Sequence, residues 1–245
     1  MSRKLWIPVV AVAALAVLGG GGAYVYYFSG LRTAPPTLAL SSPSPAASAS
    51  VTSPASGTTT ATGGTWTITT GSLAGYRVKE QFVGQSSSHE AVARTSAVTG
   101  QVSIAQSGGT YQMTSATVTV QLRSLASVDQ VAGYNVTNRD RIVQGSLSVS
   151  SFPTAVFVAQ PVTLPAGVET GQAVSVTVPG QLTIHGVTKD VPAILQLRVS
   201  GTAAQIAGTI ATNMTDFGIS PPTIGFTTVQ PAVTIEVSLN LAQGT

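Results

Sequence analysis

The C-terminal part of the chain is built from runs in which apolar and polar residues alternate one by one. In the clearest run, Val174, Val176 and Val178 alternate with Ser175 and Thr177. Successive side chains of an extended strand point to opposite faces, so the pattern predicts strands with one dry face and one wet face. No amphipathic helix is available to cover the dry faces, so the strands must close on one another. The alternation therefore indicates a closed, all-β sheet.

Eight long strands and a short lead-in follow from the alternation. Their ranges are 66–70, 75–83, 97–105, 113–123, 154–163, 173–184, 191–200, 205–214 and 233–241. Gly108-Gly109 and His185-Gly186 stand where tight hairpins are needed, because glycine tolerates positive φ. The region 124–153 breaks the pattern. There, Asn138 is a candidate N-cap for one short helix that ends at Gly145.

The composition disfavours several functional classes. The chain has no cysteine, which excludes a disulfide framework, a thiolate metal site and a cysteine nucleophile. Its two histidines, His89 and His185, are far apart in sequence, and no zinc, nucleophile-elbow or phosphate-loop motif occurs. From Thr65 onward eight Lys and Arg balance eight Asp and Glu, which disfavours nucleic-acid binding. We predict no enzyme, no metal site and no cofactor.

The N-terminus has the composition of a membrane anchor. Leu5 to Phe28 is a run of 24 uncharged residues preceded by Arg3 and Lys4. As a helix it would be about 36 Å long, enough to cross a hydrocarbon core of about 30 Å. A cleaved signal peptide has a shorter apolar region, whereas this one continues into aromatic residues typical of a membrane interface. We predict an uncleaved, single-pass anchor in the cell membrane, with residues 5–28 in the bilayer and the C-terminal domain extracytoplasmic.

Residues 29–64 are predicted to be a disordered linker. They are rich in Pro, Ser, Thr and Ala and carry one charge, Arg32. Such a composition cannot bury enough apolar surface to fold. The linker would join the anchor (residues 1–28) to a barrel domain that spans residues 65–245. We expect a chain that starts at Gly63 to be as stable as one that keeps the linker.

Three motifs in the barrel domain resemble those of the YceI family. They are Asn138-Arg139-Asp140 followed by Ser151-Phe152-Pro153-Thr154-Ala155-Val156-Phe157, the hairpin Gly180-Gln181-Leu182-Thr183-Ile184-His185-Gly186-Val187-Thr188, and Asp216-Phe217-Gly218-Ile219. The resemblance runs from about Trp66 to Leu241. It implies an eight-stranded, antiparallel, lipocalin-like barrel whose apolar lumen holds a polyisoprenoid chain, such as an isoprenoid quinone or a polyprenyl lipid. The segment Gly75 to Glu80 departs from the family's usual "HS-x-v-x-F".

The predicted inward faces carry mostly small aliphatic side chains, which leave room for an aliphatic guest. We expect the ligand to contact the lumen residues Tyr76, Val78, Phe82, Val118, Val120, Leu122, Phe152, Phe157, Ile184, Leu195, Ile210, Met214 and Phe217. Glu80 is the one carboxylate on an apolar strand face. It is a contact for a ligand head group, the partner of an arginine such as Arg77 or Arg94, or a residue near the barrel rim. Arg139-Asp140-Arg141 is expected to pair locally at the helix.

The sequence thus favours a membrane-anchored, extracytoplasmic binding or carrier protein for an isoprenoid lipid or quinone. The alternative is a structural or interaction module with a filled barrel and no ligand. A hydrolase would need a histidine and a serine to converge in one pocket. The oligomeric state stays open, with a homodimer among the options.

Overall fold

The computed structural model describes residues 32–41, 63–83, 88–131, 136–224 and 227–244. The predicted membrane anchor lies outside the described residues, as do residues 29–31 and 42–62 of the predicted linker. Within the described ranges, none of the helices has both the length and the apolar character needed to span a bilayer.

These ranges contain β-strands, one α-helix and three short 3-10 helices. In chain order the strands and helix are β1 (Arg32–Thr33), β2 (Gly64–Ile68), β3 (Leu73–Phe82), β4 (His89–Thr95), β5 (Val98–Ser107), β6 (Thr110–Gln121), β7 (Ala126–Ser127), β8 (Gln130–Val131), α1 (Val136–Ser146), β9 (Thr154–Ala159), β10 (Val162–Thr163), β11 (Val174–Ile184), β12 (Val187–Ser200), β13 (Ala203–Asn213), β14 (Thr223–Ile224) and β15 (Thr227–Gln243). The 3-10 helices are Leu122–Ser124, Val168–Thr170 and Met214–Phe217.

Eight strands form a closed antiparallel barrel. They follow one another in the order β13-β12-β11-β9-β6-β5-β2-β15, and β15 closes the ring by pairing with β13. Strand β3 pairs with β15 beyond β2, and β4 and β7 extend the sheet from β3. Closure gives most of the long strands a pairing partner on both sides, which is how a barrel avoids exposed edges. The predicted eight-stranded barrel with one short helix is confirmed.

Local sequence signals account for most element boundaries. Both predicted hairpins are present, with φ of 57° and 80° at Gly108 and Gly109 and of 53° and 74° at His185 and Gly186. Helix α1 continues past the predicted stop at Gly145. Strand β4 was not predicted, because its residues are buried on both faces and so do not alternate in polarity.

Residues 32–41, which we name the strap, lie against the outside of the barrel. Strand β1 pairs with β8. The carbonyl oxygens of Pro35 and Pro36 each accept a hydrogen bond of 2.5 Å, from Arg77 and Arg94 respectively. The prediction of an unpacked linker is therefore wrong for this part of it. A segment too poor in apolar side chains to form a core is held here through its backbone.

Beneath the strap lies a buried group of charges, the outer cluster, made of Arg77, Arg94 and Glu236. The carboxylate of Glu236 accepts hydrogen bonds from Arg94 Nε at 2.7 Å and Arg77 Nε at 2.8 Å. The backbone amide of Leu38 in the strap donates a third bond, at 3.1 Å. The Glu236 side chain is fully buried although it points outward from the barrel. The strap thus converts part of the barrel's outer wall into protein interior.

Candidate functional site

The barrel lumen contains a cavity of about 150 Å³, cavity 1, beside helix α1. Its wall combines strand residues with one face of the helix, which contributes Arg139, Ile142, Val143 and Ser146. These four positions repeat at helical spacing, so they share one face of α1. Seven predicted lumen residues line cavity 1, namely Tyr76, Val78, Val120, Leu122, Ile184, Met214 and Phe217.

A second cavity of about 80 Å³, cavity 2, lies elsewhere in the lumen. Of the predicted lumen residues it is lined by Leu195, and the rest of its wall is aliphatic or aromatic. Trp66 contributes to this wall, and its indole Nε1 is buried with no hydrogen-bond partner among the described residues. Cavity 2 is therefore more apolar than cavity 1.

Packed side chains, which we name the waist, lie between the two cavities. On four strands, inward positions that line neither cavity separate those that line cavity 2 from those that line cavity 1. The packed positions are Val118 on β6, Leu182 on β11, Ile210 on β13 and Leu239 on β15. Val118 and Ile210 were predicted to line the ligand-binding lumen, and they lie between the two cavities without lining either.

The ring of Phe157 belongs to the same layer. Phe157 pairs across strands with both Val118 and Leu182. Its ring packs directly on Gly180, where a Cβ atom would lie 2.4 Å from Phe157 Cζ. Glycine is required at this position because any side chain would displace the ring. The predicted lumen residue Phe157 thus fills the waist and borders neither cavity.

Two other predicted lumen residues line neither cavity. Phe82 is buried with its ring centroid 6.3 Å from that of His89, toward the end of β3. Phe152 is 37% exposed and packs edge-on against His185 at 5.1 Å. Phe152 precedes β9 and lies outside any strand, so strand alternation does not determine its direction. Its prediction as a lumen residue is wrong.

Cavity 1 borders a buried group of charges, the inner cluster, made of Glu80, His89, Asp129 and Arg139. Glu80 and Arg139 line the cavity and are paired, with Arg139 Nη1 3.3 Å from Glu80 Oε2. Arg139 also donates from Nη2 to Asp129 Oδ1. Asp129 Oδ2 lies 2.7 Å from His89 Nε2, and its Oδ1 accepts from the backbone amide of Val92 at 3.0 Å.

The two carboxyl groups of the inner cluster differ in their pKa shifts. For Glu80, burial raises the pKa, and the opposing effects of Arg139 and His89 do not cancel it. For Asp129, burial acts in the same direction, but hydrogen bonds from His89, Arg139 and the Val92 amide outweigh it and lower the pKa. Burial also raises the pKa of the Tyr76 hydroxyl in the cavity wall. The two carboxyl groups are thus shifted in opposite directions, because Asp129 has enough hydrogen-bond donors to offset its burial and Glu80 does not.

Sequence reasoning found Glu80 but named the wrong partner. Arg77 and Arg94 bind Glu236 on the outside of the barrel, and Glu80 is paired with Arg139. We expected Arg139 to pair locally at the helix. Helical spacing with Ile142, Val143 and Ser146 was the available signal that Arg139 faces the lumen.

A histidine and a serine do meet, but outside the cavities. His185 Nε2 lies 3.2 Å from Ser148 Oγ, and its Nδ1 lies 3.2 Å from the carbonyl oxygen of Phe217. Neither His185 nor Ser148 lines cavity 1 or cavity 2. The imidazole therefore ties the β11–β12 hairpin to two neighbouring segments, and it is not the solvated turn residue that its hairpin position suggests. In the described ranges no three His, Asp or Glu side chains are grouped to hold a metal ion.

Comparison with known proteins identifies the family. A model described as the YceI-like domain matches residues 48–241, whereas no curated protein sequence matches the chain. A polyisoprenoid binding domain from Saccharophagus degradans superposes with a TM-score of 0.52 at 15% identity, covering 73% of this chain and 98% of that one. BcnA from Burkholderia cenocepacia gives 0.45 at 19% identity, over 67% and 95% of the two chains. A YCEI protein from Campylobacter jejuni gives 0.39 at 16% identity, over 59% and 81%. Because the family model covers most of the chain and the first structure shares its barrel fold, this protein belongs to the YceI-like domain family.

Proposed function

We propose that this protein is a membrane-anchored, extracytoplasmic carrier that holds an isoprenoid lipid, either a quinone or a polyprenyl chain, in its barrel lumen. The observation that carries the proposal is cavity 1, an aliphatic space that ends at the buried Glu80–Arg139 pair. An apolar cavity with few polar groups at one end is suited to a ligand with a hydrocarbon body and a polar head. The polyisoprenoid binding domain of Saccharophagus degradans, which has the same fold, supports this ligand class.

The size of the lumen limits how a long ligand fits. An apolar cavity of about 150 Å³ accommodates a molecule the size of benzene. Cavity 1 therefore has room for a head-group ring or for one five-carbon isoprene unit, and cavity 2 for less. A longer chain would occupy both cavities only if the Phe157 ring moved out of the waist. Each buried CH₂ group then contributes about 0.8 kcal/mol, so the tail would supply most of the affinity.

The inner cluster provides polar contacts for the head group. Arg139 is a permanent donor, which suits the carbonyl oxygen of a quinone. The Glu80 carboxyl group can accept a hydrogen bond from the hydroxyl group of a prenol. We infer that the head group lies at the Glu80 end of cavity 1 and that the tail points toward the waist.

The anchored and extracytoplasmic part of the proposal rests on the sequence. Residues 5–28 are uncharged, long enough to span a bilayer and preceded by Arg3 and Lys4. Such a segment would keep the barrel at the surface of the membrane in which isoprenoid lipids dissolve. The lumen would then act by binding, without a catalytic step.

The test is to fill cavity 1 with a side chain. We expect Val120→Trp to abolish lipid binding while changing the free energy of unfolding by less than about 1 kcal/mol, because the indole enters existing space. In a filled barrel the same change would overpack the core and cost about 1–3 kcal/mol. The measurement is mass spectrometry of lipids extracted from the purified full chain, beside chemical denaturation.

The matched control is Val158→Trp, because Val158 is an exposed valine on the outer side of β9. This variant should keep the lipid, and it corrects for membrane lipid carried along in purification. A wild-type protein that yields no isoprenoid above the Val120→Trp background would contradict the carrier and favour the filled-barrel module.

A further inference from the structure

The strap determines where the chain leaves the folded domain on its N-terminal side. In β1, Arg32 is paired with Val131 and Thr33 with Gln130. Asp129, two residues before Val131, bonds Arg139, which lines cavity 1. Strand β1 therefore begins near the inner cluster, at the end of the lumen where cavity 1 lies.

This exit point is fixed relative to the barrel. The strap contacts Arg94 on β4, Arg77 on β3 and Glu236 on β15. It then reaches β13 and β12, where Gln205 Nε2 donates to Ser41 Oγ at 3.4 Å and Arg198 Nη1 to Ser41 O at 2.9 Å. These five strands are consecutive neighbours in the sheet. A segment bonded to five adjacent strands cannot swing as a free linker would.

The connection from the strap to the apolar N-terminal segment is short. Four peptide steps join Phe28 to Arg32. Even fully extended, they reach about 14 Å. If Leu5–Phe28 spans the membrane, as the proposed function holds, Arg32 is held within that distance of the bilayer surface, and the nearby cavity 1 end of the barrel is kept close to it.

The surface at this end suits a lipid interface. Three large hydrophobic side chains are exposed there: Val83 next to the Glu80–His89 strand pair, Val128 next to Asp129, and Phe152 against the β11–β12 hairpin. The other exposed large hydrophobics among the described residues, Val158 and Ile194, lie in strands on the barrel wall. Single exposed apolar residues are ordinary, but three that neighbour residues of the same end can together enter a headgroup layer.

We propose that the strap docks the barrel with its cavity 1 end, marked by Val83, Val128 and Phe152, against the outer surface of the lipid bilayer. The cavity then lies next to the membrane, so that a lipid can pass between bilayer and lumen without crossing water. This inference rests on the anchor in the proposed function. It adds a defined membrane-facing surface, which the strap would create through residues 32–41, outside the part matched by the family model.

The absence of cysteine from the chain makes the surface directly measurable. Full-length Val128→Cys and Ser107→Cys would each be labelled with bimane and reconstituted into phosphatidylcholine vesicles, with or without lipids that carry a nitroxide headgroup. Ser107 is exposed at the β5–β6 turn, beside Tyr111 of cavity 2. We expect nitroxide lipid to quench the label at position 128 at least threefold more strongly than the label at position 107. Equal quenching, or stronger quenching at 107, would overturn the proposed orientation.

Three further measurements keep the outcome unambiguous. Val83→Cys repeats the test at a second site of the same end, in case Val128→Cys fails to fold. Flotation of the vesicles reports the anchor separately: a chain that does not float contradicts the anchor, whereas a chain that floats with equal quenching contradicts only the orientation. Inserting 20 Gly and Ser residues between Gly30 and Leu31 should at least halve the difference between the two positions. A difference that persists undiminished would show that the short connection does not orient the barrel.

Discussion

The inner and outer clusters bury similar charges in opposite ways. Glu236 in the outer cluster accepts three hydrogen bonds, from two guanidinium groups and a backbone amide, at 2.7 to 3.1 Å. Glu80 in the inner cluster is paired at 3.3 Å with one guanidinium, Arg139, which it shares with Asp129. One carboxylate is fully provided with donors, and the other faces a cavity with a single long contact.

The pKa shifts follow from this difference. Burial opposes the ionisation of Glu236, but the bonds from Arg94, Arg77 and the Leu38 amide outweigh it and hold the pKa below its ordinary value. For Glu80 burial prevails and the pKa is raised. A buried charge stabilises a fold only when its partners offset desolvation. Glu236 is therefore a structural carboxylate, whereas Glu80 has partners that do not offset its burial.

The largest loss of stability is expected from changing Glu236, the carboxylate that accepts the most hydrogen bonds. Glu236→Gln would leave Arg77 and Arg94 without their shared counter-charge under the strap, and should lower the free energy of unfolding by about 3–5 kcal/mol. The measurement is urea denaturation at neutral pH. Glu90→Gln is the matched control, because Glu90 also pairs with Arg77 but its side chain is 41% exposed. The control should cost less than about 1 kcal/mol.

The pH dependence checks the same assignment. Because the pKa of Glu236 is lowered in the folded state, its contribution is present above the unfolded-state pKa of a glutamate and is lost as the pH falls through its folded pKa. Wild type should therefore lose more stability in acid than Glu236→Gln does. Parallel stability curves for the two proteins would mean that Glu236 is not held ionised by its partners.

A smaller effect is expected from removing the strap. A domain that begins at Gly63 should be about 1–3 kcal/mol less stable than one that begins at Arg32, because three charge-assisted bonds to Pro35, Pro36 and Leu38 are replaced by bonds to water. Chemical denaturation of the two domains at the same pH measures the difference. Equal stabilities would restore the expectation, drawn from composition, of a linker without contacts.

The strap also shows what the sequence could and could not predict. Alternation located the long strands, because one face of each packs in the lumen and the other meets water. It failed for β4, where Val92 is covered on the outer side as completely as Ala91 and Ala93 are on the inner side. Composition failed for residues 32–41, because their partners are charged side chains more than forty residues away in sequence.

Strand alternation likewise predicted only part of the candidate site. Val120, Ile184 and Leu195 alternate in strands, and each lines a cavity as expected. Alternation gives the face of a strand but not the depth along the barrel, so it could not show that Val118 and Ile210 meet in the waist. The pairing of Glu80 with Arg139 joins a strand to a helix 59 residues later, which no local pattern encodes.

The smallest effect on stability, and the one of opposite character, is expected at Glu80. Glu80→Gln keeps the size of the side chain and removes a poorly paired buried charge, so the free energy of unfolding at neutral pH should change by less than about 1 kcal/mol.

Because the folded pKa of Glu80 is raised, its favourable contribution is present below the unfolded-state pKa and is lost as the pH rises through the folded pKa. The difference in stability between wild type and Glu80→Gln should therefore move in favour of wild type on acidification. The shift from Glu236 occurs in both proteins and cancels in that difference. Lipid extraction adds the functional readout: Glu80→Gln should bind less of a quinone or prenol than wild type while melting like it. A loss of several kcal/mol at neutral pH with lipid content unchanged would place Glu80 beside Glu236 as a structural carboxylate and remove the contrast between the two clusters.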